Sequence, residues 1–207
     1  MKGFDTKRAA LVAALGISAL TGLTGCFPIV ATTAATTALV ATDRRTAGAQ
    51  LDDQRIEFRA NRLIGDSPLQ PWHVDVTSYD RRALLTGEVP NEAAKQQAGQ
   101  IVSGIENVRS VANELQIGPN ASLSERSQDT VITGRIKASF VDARDLNANA
   151  FKVVTELGVV YMMGRVTQRE ADRAADIARS ISGVKRVVTL FELISDADVS
   201  KPPSDTN

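Results

Sequence analysis

The sequence predicts an α+β protein that contains two copies of one small domain. The chain aligns with itself at an offset of 76 or 77 residues, so that residues 83–89 match 160–166 and residues 108–111 match 184–187. Each copy also shows helix-length and strand-length apolar patterns in the same order. Two copies of about 70 residues are typical of paired globular domains rather than of a solenoid, which stacks more repeats.

Each copy is predicted to fold in the order α-β-β-α-β, as a small mixed sheet covered on one face by two helices. The pattern places the two domains at residues 51–118 and 124–194. The predicted elements with the clearest limits are the first helices at 52–64 and 129–141, the second helices at 91–103 and 168–182, and the last strands at 108–117 and 184–194. Thr167 and Glu170 form a capping-box sequence that opens the second helix of the second copy.

The N-terminal region predicts export and lipidation. Lys2, Lys7 and Arg8 precede an apolar run at residues 9–20, which is the plan of a secretory signal peptide and is too short for a transmembrane helix. Cys26, the only cysteine of the chain, ends the sequence Leu-Thr-Gly-Cys, which resembles the lipobox of bacterial lipoproteins.

The lipobox resemblance implies a location for the protein. It implies removal of residues 1–25 as a signal peptide and attachment of acyl chains, such as palmitate, to Cys26. In enteric-type lipoproteins, an aspartate directly after the cysteine retains the protein in the inner membrane. This chain has Phe27 at that position, which implies the inner leaflet of the outer membrane, facing the periplasm. Residues 26–50 are predicted to be a flexible tether with a reach of about 27 Å, and residues 195–207 a disordered tail.

Charge differs between the two copies. The whole chain has 24 basic and 24 acidic residues, but residues 51–118 carry 7 basic and 10 acidic side chains, and residues 123–194 carry 11 and 9. The balanced total argues against a nucleic-acid-binding protein. The opposite net charges of an acidic first copy and a basic second copy favour packing of the two against each other.

Residues of catalytic and metal sites are scarce. His73 is the only histidine, and with no second histidine and no cysteine near it, the sequence predicts neither a catalytic triad nor a zinc site. Asp52 and Asp53 are interpreted as residues at a helix start that offset the helix dipole, and no glycine-rich phosphate loop follows a strand. We therefore predict a protein that is not an enzyme and has no cofactor and no metal, with a structural or surface position for His73.

The first helix of the second copy mixes apolar and basic residues. Arg135 and Lys137 lie beside Val131 and Val141, a composition that suits an anionic lipid surface. Three other apolar residues recur at four-residue spacing and are predicted to face the domain core: Ile132, Ile136 and Phe140.

Several sequence features together resemble the BON domain. They are the element order, the glycine that closes the second strand, and the sequence Gly-Val-Lys-Arg-Val-Val at 183–188. The whole plan resembles the dual-BON outer-membrane lipoproteins of Gram-negative bacteria. The sequences that carry this wider resemblance are the lipobox at 23–26, Ala-Thr-Asp-Arg at 41–44, Leu-Asp-Asp at 51–53, and the segments 166–171 and 174–178.

This resemblance implies a function. In the family, the first helix of the second domain binds anionic phospholipid through basic residues and exposed apolar ones, including a tryptophan. The resemblance therefore implies lipid-binding roles for Val131, Arg135, Lys137 and Val141, with Val131 at the tryptophan position. It also implies phosphatidylglycerol or cardiolipin as ligands, support of outer-membrane integrity, and association with the division site and the β-barrel assembly machinery. The alternative is an adaptor that docks on that machinery, with incidental lipid contact.

Overall fold

Each half of the structure folds in the predicted order of helix, hairpin, helix and strand. The computed structural model describes residues 43–69, 71–199 and 201 of the chain. The first domain contains α1 (Ala47–Gly65), β1 (His73–Tyr79), β2 (Arg82–Val89), α2 (Glu92–Ser103), β3 (Ser110–Asn113) and β4 (Gln116–Ile117). The second domain contains α3 (Leu123–Asp142), a short 3-10 helix (Ala148–Ala150), β5 (Phe151–Glu156), β6 (Val159–Val166), α4 (Gln168–Ser180) and β7 (Arg186–Leu193), and α5 (Asp196–Val199) follows it.

The prediction of an α+β protein with two small mixed sheets is confirmed. β1 pairs antiparallel with β2, and β2 pairs parallel with β3 and β4. In the second domain β5 pairs antiparallel with β6, which pairs parallel with β7. The predicted last strand of the first domain is interrupted at residues 114–115, where Leu115 is buried in the core, although β3 and β4 keep the same register on β2.

The first helix begins inside the segment that was predicted to be a tether. α1 starts at Ala47, where the Thr46 side chain accepts a hydrogen bond from the Ala49 amide. The prediction of a flexible tether over residues 26–50 is therefore wrong for residues 43–50, which form the start of α1 and the contacts that precede it. The rest of the predicted tether lies outside the described residues.

The first helix of the second domain also begins earlier than predicted. α3 starts at Leu123 rather than at residue 129, because Ser122 and Glu125 form a capping box in which each side chain satisfies a backbone amide of the other. The Ser-x-x-Glu spacing was a start signal in the sequence, but apolar periodicity alone does not detect it. The capping box predicted at the start of α4 is confirmed.

The predicted disordered tail begins with a helical turn. α5 occupies Asp196–Val199, and Asp198 accepts hydrogen bonds from the Ser195 hydroxyl and the Lys201 ammonium group. The prediction of disorder is wrong for these residues, because the paired side chains close a turn. Residue 200 and residues 202–207 lie outside the described residues.

A buried aspartate of the first helix holds the hairpin turn of each domain. Asp53 and Asp129 each accept hydrogen bonds from the backbone amides of both turn residues, at 2.7 and 2.8 Å. In both two-residue turns the backbone adopts positive φ at both positions: Asp80 and Arg81 in the first domain, Leu157 and Gly158 in the second. The carboxylates therefore stabilise a turn conformation that costs free energy for any residue other than glycine.

The interpretation of Asp52 and Asp53 as residues of a helix start is wrong. α1 begins several residues earlier, so both aspartates lie inside the helix. Asp53 is 2% exposed and forms an ion pair with Arg45, whereas Asp52 forms one with Arg81 at 2.9 Å. These two carboxylates bind side chains of neighbouring segments, so compensation of the helix dipole does not explain their positions.

The glycine that closes the second strand allows two backbone segments to touch. A Cβ atom on Gly87, which has a φ of +111°, would lie 2.0 Å from the His73 carbonyl oxygen. A Cβ atom on Gly164 would lie 2.4 Å from the Ala150 carbonyl oxygen. This close approach is the physical reason for a glycine at the same position of both copies.

Both faces of each sheet are buried. The outer faces pack against the helices and form one core in each domain, represented by Ile56, Leu85 and Val102 in the first and by Ile136, Met162 and Ala174 in the second. The inner faces pack against each other through a third cluster that includes Tyr79, Leu84, Tyr161 and Met163. The layers therefore follow the order helices, sheet, sheet, helices, and the two domains share an apolar interface.

The residues that precede α1 connect the two domains. Arg45 forms an ion pair with Asp53 of the first domain at 2.8 Å and stacks on the Tyr79 ring at 4.3 Å. Arg44 forms two hydrogen bonds, of 2.7 and 2.8 Å, with Glu170 of the second domain, and they hold the pKa of this carboxyl below its ordinary value. Two successive arginines thus hold one domain each.

We expect Asp129→Ala to lower the free energy of unfolding by about 3 kcal/mol or more, because two turn amides lose charge-assisted hydrogen bonds. The matched control is Asp145→Ala, which removes a half-exposed carboxylate that pairs with Arg173 and is expected to cost less than about 1 kcal/mol. Urea unfolding followed by circular dichroism measures both. Equal losses in the two variants would contradict the role of Asp129 in the turn.

Candidate lipid-binding surface

The helix that was predicted to bind lipid, α3, is buried along one side. The three residues predicted to face the core are each at most 2% exposed: Ile132, Ile136 and Phe140. This prediction is confirmed. The opposite side of α3 is turned to solvent.

All four residues predicted to bind lipid lie on the solvent side of α3. Val131 is 50% and Val141 is 72% exposed, and the side chains of Arg135 and Lys137 are exposed as well. At 3.6 residues per turn, both valines fall between the two cations around the helix axis. The surface is therefore an apolar strip with a basic residue on each side, an arrangement that suits the boundary between headgroups and acyl chains.

The strip has a low profile because several of its side chains are small. Leu123, which is 84% exposed, continues the line of Val141 toward the N-terminus of the helix, and Gly134 and Ala138 lie between them. A Cβ atom on Gly134 would meet nothing within 4 Å, so packing does not require a glycine there. The helix backbone can approach a flat surface closely, but the apolar area available for insertion is small.

The electrostatics of the strip favour an anionic partner. Residues 130–141 include no acidic side chain, and Asp129 points inward to the hairpin turn, although the exposed Asp142 follows at the end of α3. Within the described part of the chain, neither Arg135 nor Lys137 forms a salt bridge. Both cations are therefore available to phosphate groups, each contributing about 1 kcal/mol at an anionic membrane before screening by salt.

Comparison with known families identifies the two halves of the structure. A model of the BON domain matches residues 52–119 and 128–194. The chain belongs to the BON family. The two copies detected in the sequence are thus two BON domains, and the strip on α3 belongs to the first helix of the second one.

The chain is similar along most of its length to other proteins with BON domains. It is 41% identical over 175 residues to the outer membrane lipoprotein DolP of Haemophilus influenzae, covering 83% of this chain and 90% of that protein. It is 32% identical over 154 residues to a 21 kDa hemolysin of Actinobacillus pleuropneumoniae, covering 73% and 79%. It is 29% identical over 141 residues to the osmotically-inducible protein Y of Escherichia coli, covering 66% and 70%.

These similarities confirm the resemblance to dual-BON lipoproteins. They support an envelope-associated, non-enzymatic role, and the similarity to DolP supports an outer-membrane location. The predicted lipidation site, Cys26, lies outside the described residues. Among the residues that the structure describes, no helix is long and apolar enough to cross a membrane.

A polar cluster lies where the two BON domains meet. His73 Nδ1 is 3.2 Å from Glu88 Oε2, and His73 Nε2 is 3.0 Å from Asp75 Oδ2. Glu156 reaches the same ring from the second domain, with its Oε1 3.8 Å from His73 Nδ1. Burial, opposed by His73 and reinforced by Glu88, raises the pKa of Glu156 to about 7.

The cluster is not arranged for nucleophilic catalysis. Among the described residues, no hydroxyl or thiol makes a hydrogen bond to the His73 ring, so a histidine-activated nucleophile is not formed. The sequence shows no second histidine or cysteine near His73, and the carboxylates around its ring were not predicted. Glu88 lies 15 residues away along the chain and Glu156 lies in the other domain, so no local spacing indicates their convergence.

We expect Gly134→Ala to raise the free energy of unfolding by up to about 1 kcal/mol, because alanine has the higher helix propensity and its Cβ meets no neighbour. Urea unfolding measures the change. Liposome affinity should stay within about twofold of the parent, since the charges of the strip are unchanged. A loss of stability would contradict the exposed position of residue 134.

Proposed function

We propose that this protein is a non-enzymatic lipoprotein that is anchored through Cys26 in the inner leaflet of the outer membrane and faces the periplasm. Its second BON domain binds anionic phospholipid, such as phosphatidylglycerol or cardiolipin, through the outward strip of α3. Binding supports the integrity of the outer membrane, at the division site in particular.

The observation that carries this proposal is the exposure of Val131 and Val141 between Arg135 and Lys137 on the solvent side of α3, where residues 130–141 include no acidic side chain and Asp142 ends the helix. Apolar residues flanked by cations contact the acyl boundary while the cations reach the headgroup phosphates. The inner faces of both sheets are buried against each other, so the sheets offer no free face to a membrane.

The proposed anchor makes a weak site sufficient. Asp43, the first described residue, follows Cys26 by 17 residues, and even a fully extended chain of that length spans at most about 60 Å. A site held at such a distance from the membrane works at millimolar effective concentration. The anchor then keeps the protein on the membrane, and the strip selects the lipid that it contacts.

We expect the double variant Arg135→Glu and Lys137→Glu to weaken binding to vesicles that contain phosphatidylglycerol or cardiolipin by more than about 100-fold. Two attractive charges are lost and two repulsive ones are gained, each worth about 1 kcal/mol near the surface. Sedimentation of the chain from residue 27 onward with such vesicles, at low and at 0.15 M salt, measures the effect.

The matched control is the double variant Arg173→Glu and Arg179→Glu on α4, which changes the net charge of the same domain equally. Both arginines are at least half exposed and pair with exposed aspartates, so the fold should tolerate the change. Affinity should fall much less in this control. Equal losses would show that net charge alone drives binding, and binding that salt does not weaken would overturn the anionic-lipid proposal.

We expect Val131→Trp to strengthen vesicle binding by about tenfold, because an indole offers much more interfacial apolar area than a valine at this half-exposed position. The gain should persist at 0.15 M salt, since it is hydrophobic. Vesicle titration followed by the fluorescence of the new tryptophan against that of Trp72 measures it. An unchanged affinity would show that residue 131 does not reach the bilayer.

One observation favours the alternative function, an adaptor that docks on the β-barrel assembly machinery. Phe58 on α1 is 71% exposed, and Leu51, two helical turns earlier, is 47% exposed. Both lie in the outer layer opposite to α3. An exposed aromatic side chain of this kind is typical of a protein-docking surface. Co-purification of the assembly machinery with the Arg135→Glu, Lys137→Glu variant at parental levels would favour the adaptor.

A further inference from the structure

We propose that His73, Asp75 and Glu156 bind one divalent transition-metal ion, of the Zn²⁺ class, across the junction of the two BON domains. One donor atom from each of these residues can be chosen so that all three lie within 4.8 Å of one another. His73 and Asp75 belong to β1 of the first domain, and Glu156 ends β5 of the second. The ion would therefore join the two domains.

The separation of two of the three donors fits a tetrahedral ion. Bonds of 2.0–2.2 Å to nitrogen and oxygen place neighbouring ligand atoms about 3.3 Å apart. His73 Nε2 and Asp75 Oδ2 are 3.0 Å apart, close to this separation. Glu156 Oε1 lies 3.8 Å from the other ring nitrogen, His73 Nδ1, so the Glu156 side chain has to rotate toward Nε2 to complete the site. Water would take the fourth position, as it does where three protein residues bind zinc.

Glu88 supplies the second shell that a metal-binding histidine requires. Its Oε2 lies 3.2 Å from His73 Nδ1, so a proton on Nδ1 leaves the Nε2 lone pair free for a metal ion. This is the usual carboxylate–histidine–metal arrangement. The Glu88 side chain is 1% exposed, and its Oε1 has no hydrogen-bond partner among the described residues. Glu88 Oε2 also accepts a hydrogen bond from the Ala121 amide at 2.8 Å, which fixes this carboxylate beside the His73 ring.

The charge balance at the junction favours a cation. The cleft of about 330 Å³ beside these residues is lined by the acidic side chains of Asp75, Asp129 and Glu156. Among the described residues, Arg126 is the arginine that lines it. The Arg126 Nε atom has no partner there, so the guanidinium does not neutralise the carboxylates through this atom. Asp75 is 64% exposed at the side chain, which leaves a path for an ion to enter.

The donor set selects the class of ion. One imidazole and two carboxylates suit Zn²⁺ or Mn²⁺, whereas Mg²⁺ and Ca²⁺ prefer six or more oxygen ligands. Because the ligands come from both domains, a bound ion would add stability to their packing rather than to either domain alone.

Calorimetric titration with Zn²⁺ at pH 8 tests the proposal. The protein is the chain from residue 27 onward, which contains every residue of the three hydrophobic clusters in the described part of the chain. We expect one Zn²⁺ per chain, no comparable binding of Mg²⁺ or Ca²⁺, and an increase in Tm of about 5 to 10 °C at a hundredfold excess over Kd.

Three variants locate the site. Glu156→Gln and His73→Gln should each weaken Zn²⁺ binding by more than about 100-fold, and Glu88→Gln by about 10- to 100-fold. Asp145→Asn, which changes an exposed carboxylate elsewhere in the second domain, should leave affinity unchanged. Circular dichroism confirms that each variant is folded.

Three results would overturn the proposal. They are the absence of saturable Zn²⁺ binding, binding that survives Glu156→Gln and His73→Gln, and stoichiometric binding without an increase in Tm. The last result would mean that the ion does not join the domains. None of these outcomes depends on lipid binding, so this proposal and the proposed function can fail separately.

Discussion

The packing of the two sheets against each other determines which surfaces of this protein are free. A small sheet with helices on one face leaves its other face apolar, and Tyr79, Leu84, Tyr161 and Met163 show how that face is covered. Burial of such side chains contributes about 1.5 to 3 kcal/mol each, enough to hold two small domains together. Helices occupy both outer layers as a consequence, so the broad surfaces that remain open to a membrane or a partner are helix surfaces.

Polar contacts then set the relation of the two domains around this apolar layer. Arg44 and Arg45 follow each other in the chain, yet one binds the second domain and the other binds the first. Lys152 of the basic domain forms an ion pair with Glu57 of the acidic one at 2.7 Å. The opposite net charges of the two domains thus contribute to their packing. The excess of basic residues in the second domain also gives α3 its cationic surface.

Local sequence signals predicted much of the fold, and the exceptions have identifiable causes. Repetition and apolar periodicity predicted the order of elements and the inward side of α3, because both depend on neighbouring residues. Periodicity missed the starts of α1 and α3, which polar caps determine through Thr46 and Ser122. It also misassigned Asp53, whose partners in the hairpin turn lie more than 25 residues away.

The candidate lipid site could be predicted from one helix, whereas the cluster at the domain junction could not. Val131, Arg135, Lys137 and Val141 lie within three turns, so helix geometry alone places them on one side. His73 meets Glu156 because two sheets from separate domains pack together, and no spacing along the chain encodes that contact. The same limit applies to the close approach that requires Gly87.

The sequence by itself determined the repeat, the α+β class, the family resemblance and the position of the single cysteine, since each is a local or periodic property of the chain. The tertiary structure decided the pairing of the sheets, the joining of the domains by consecutive arginines, and the convergence of carboxylates on the only histidine. Those features depend on contacts between residues that are distant in sequence, which burial and charge pairing select only after both domains have formed.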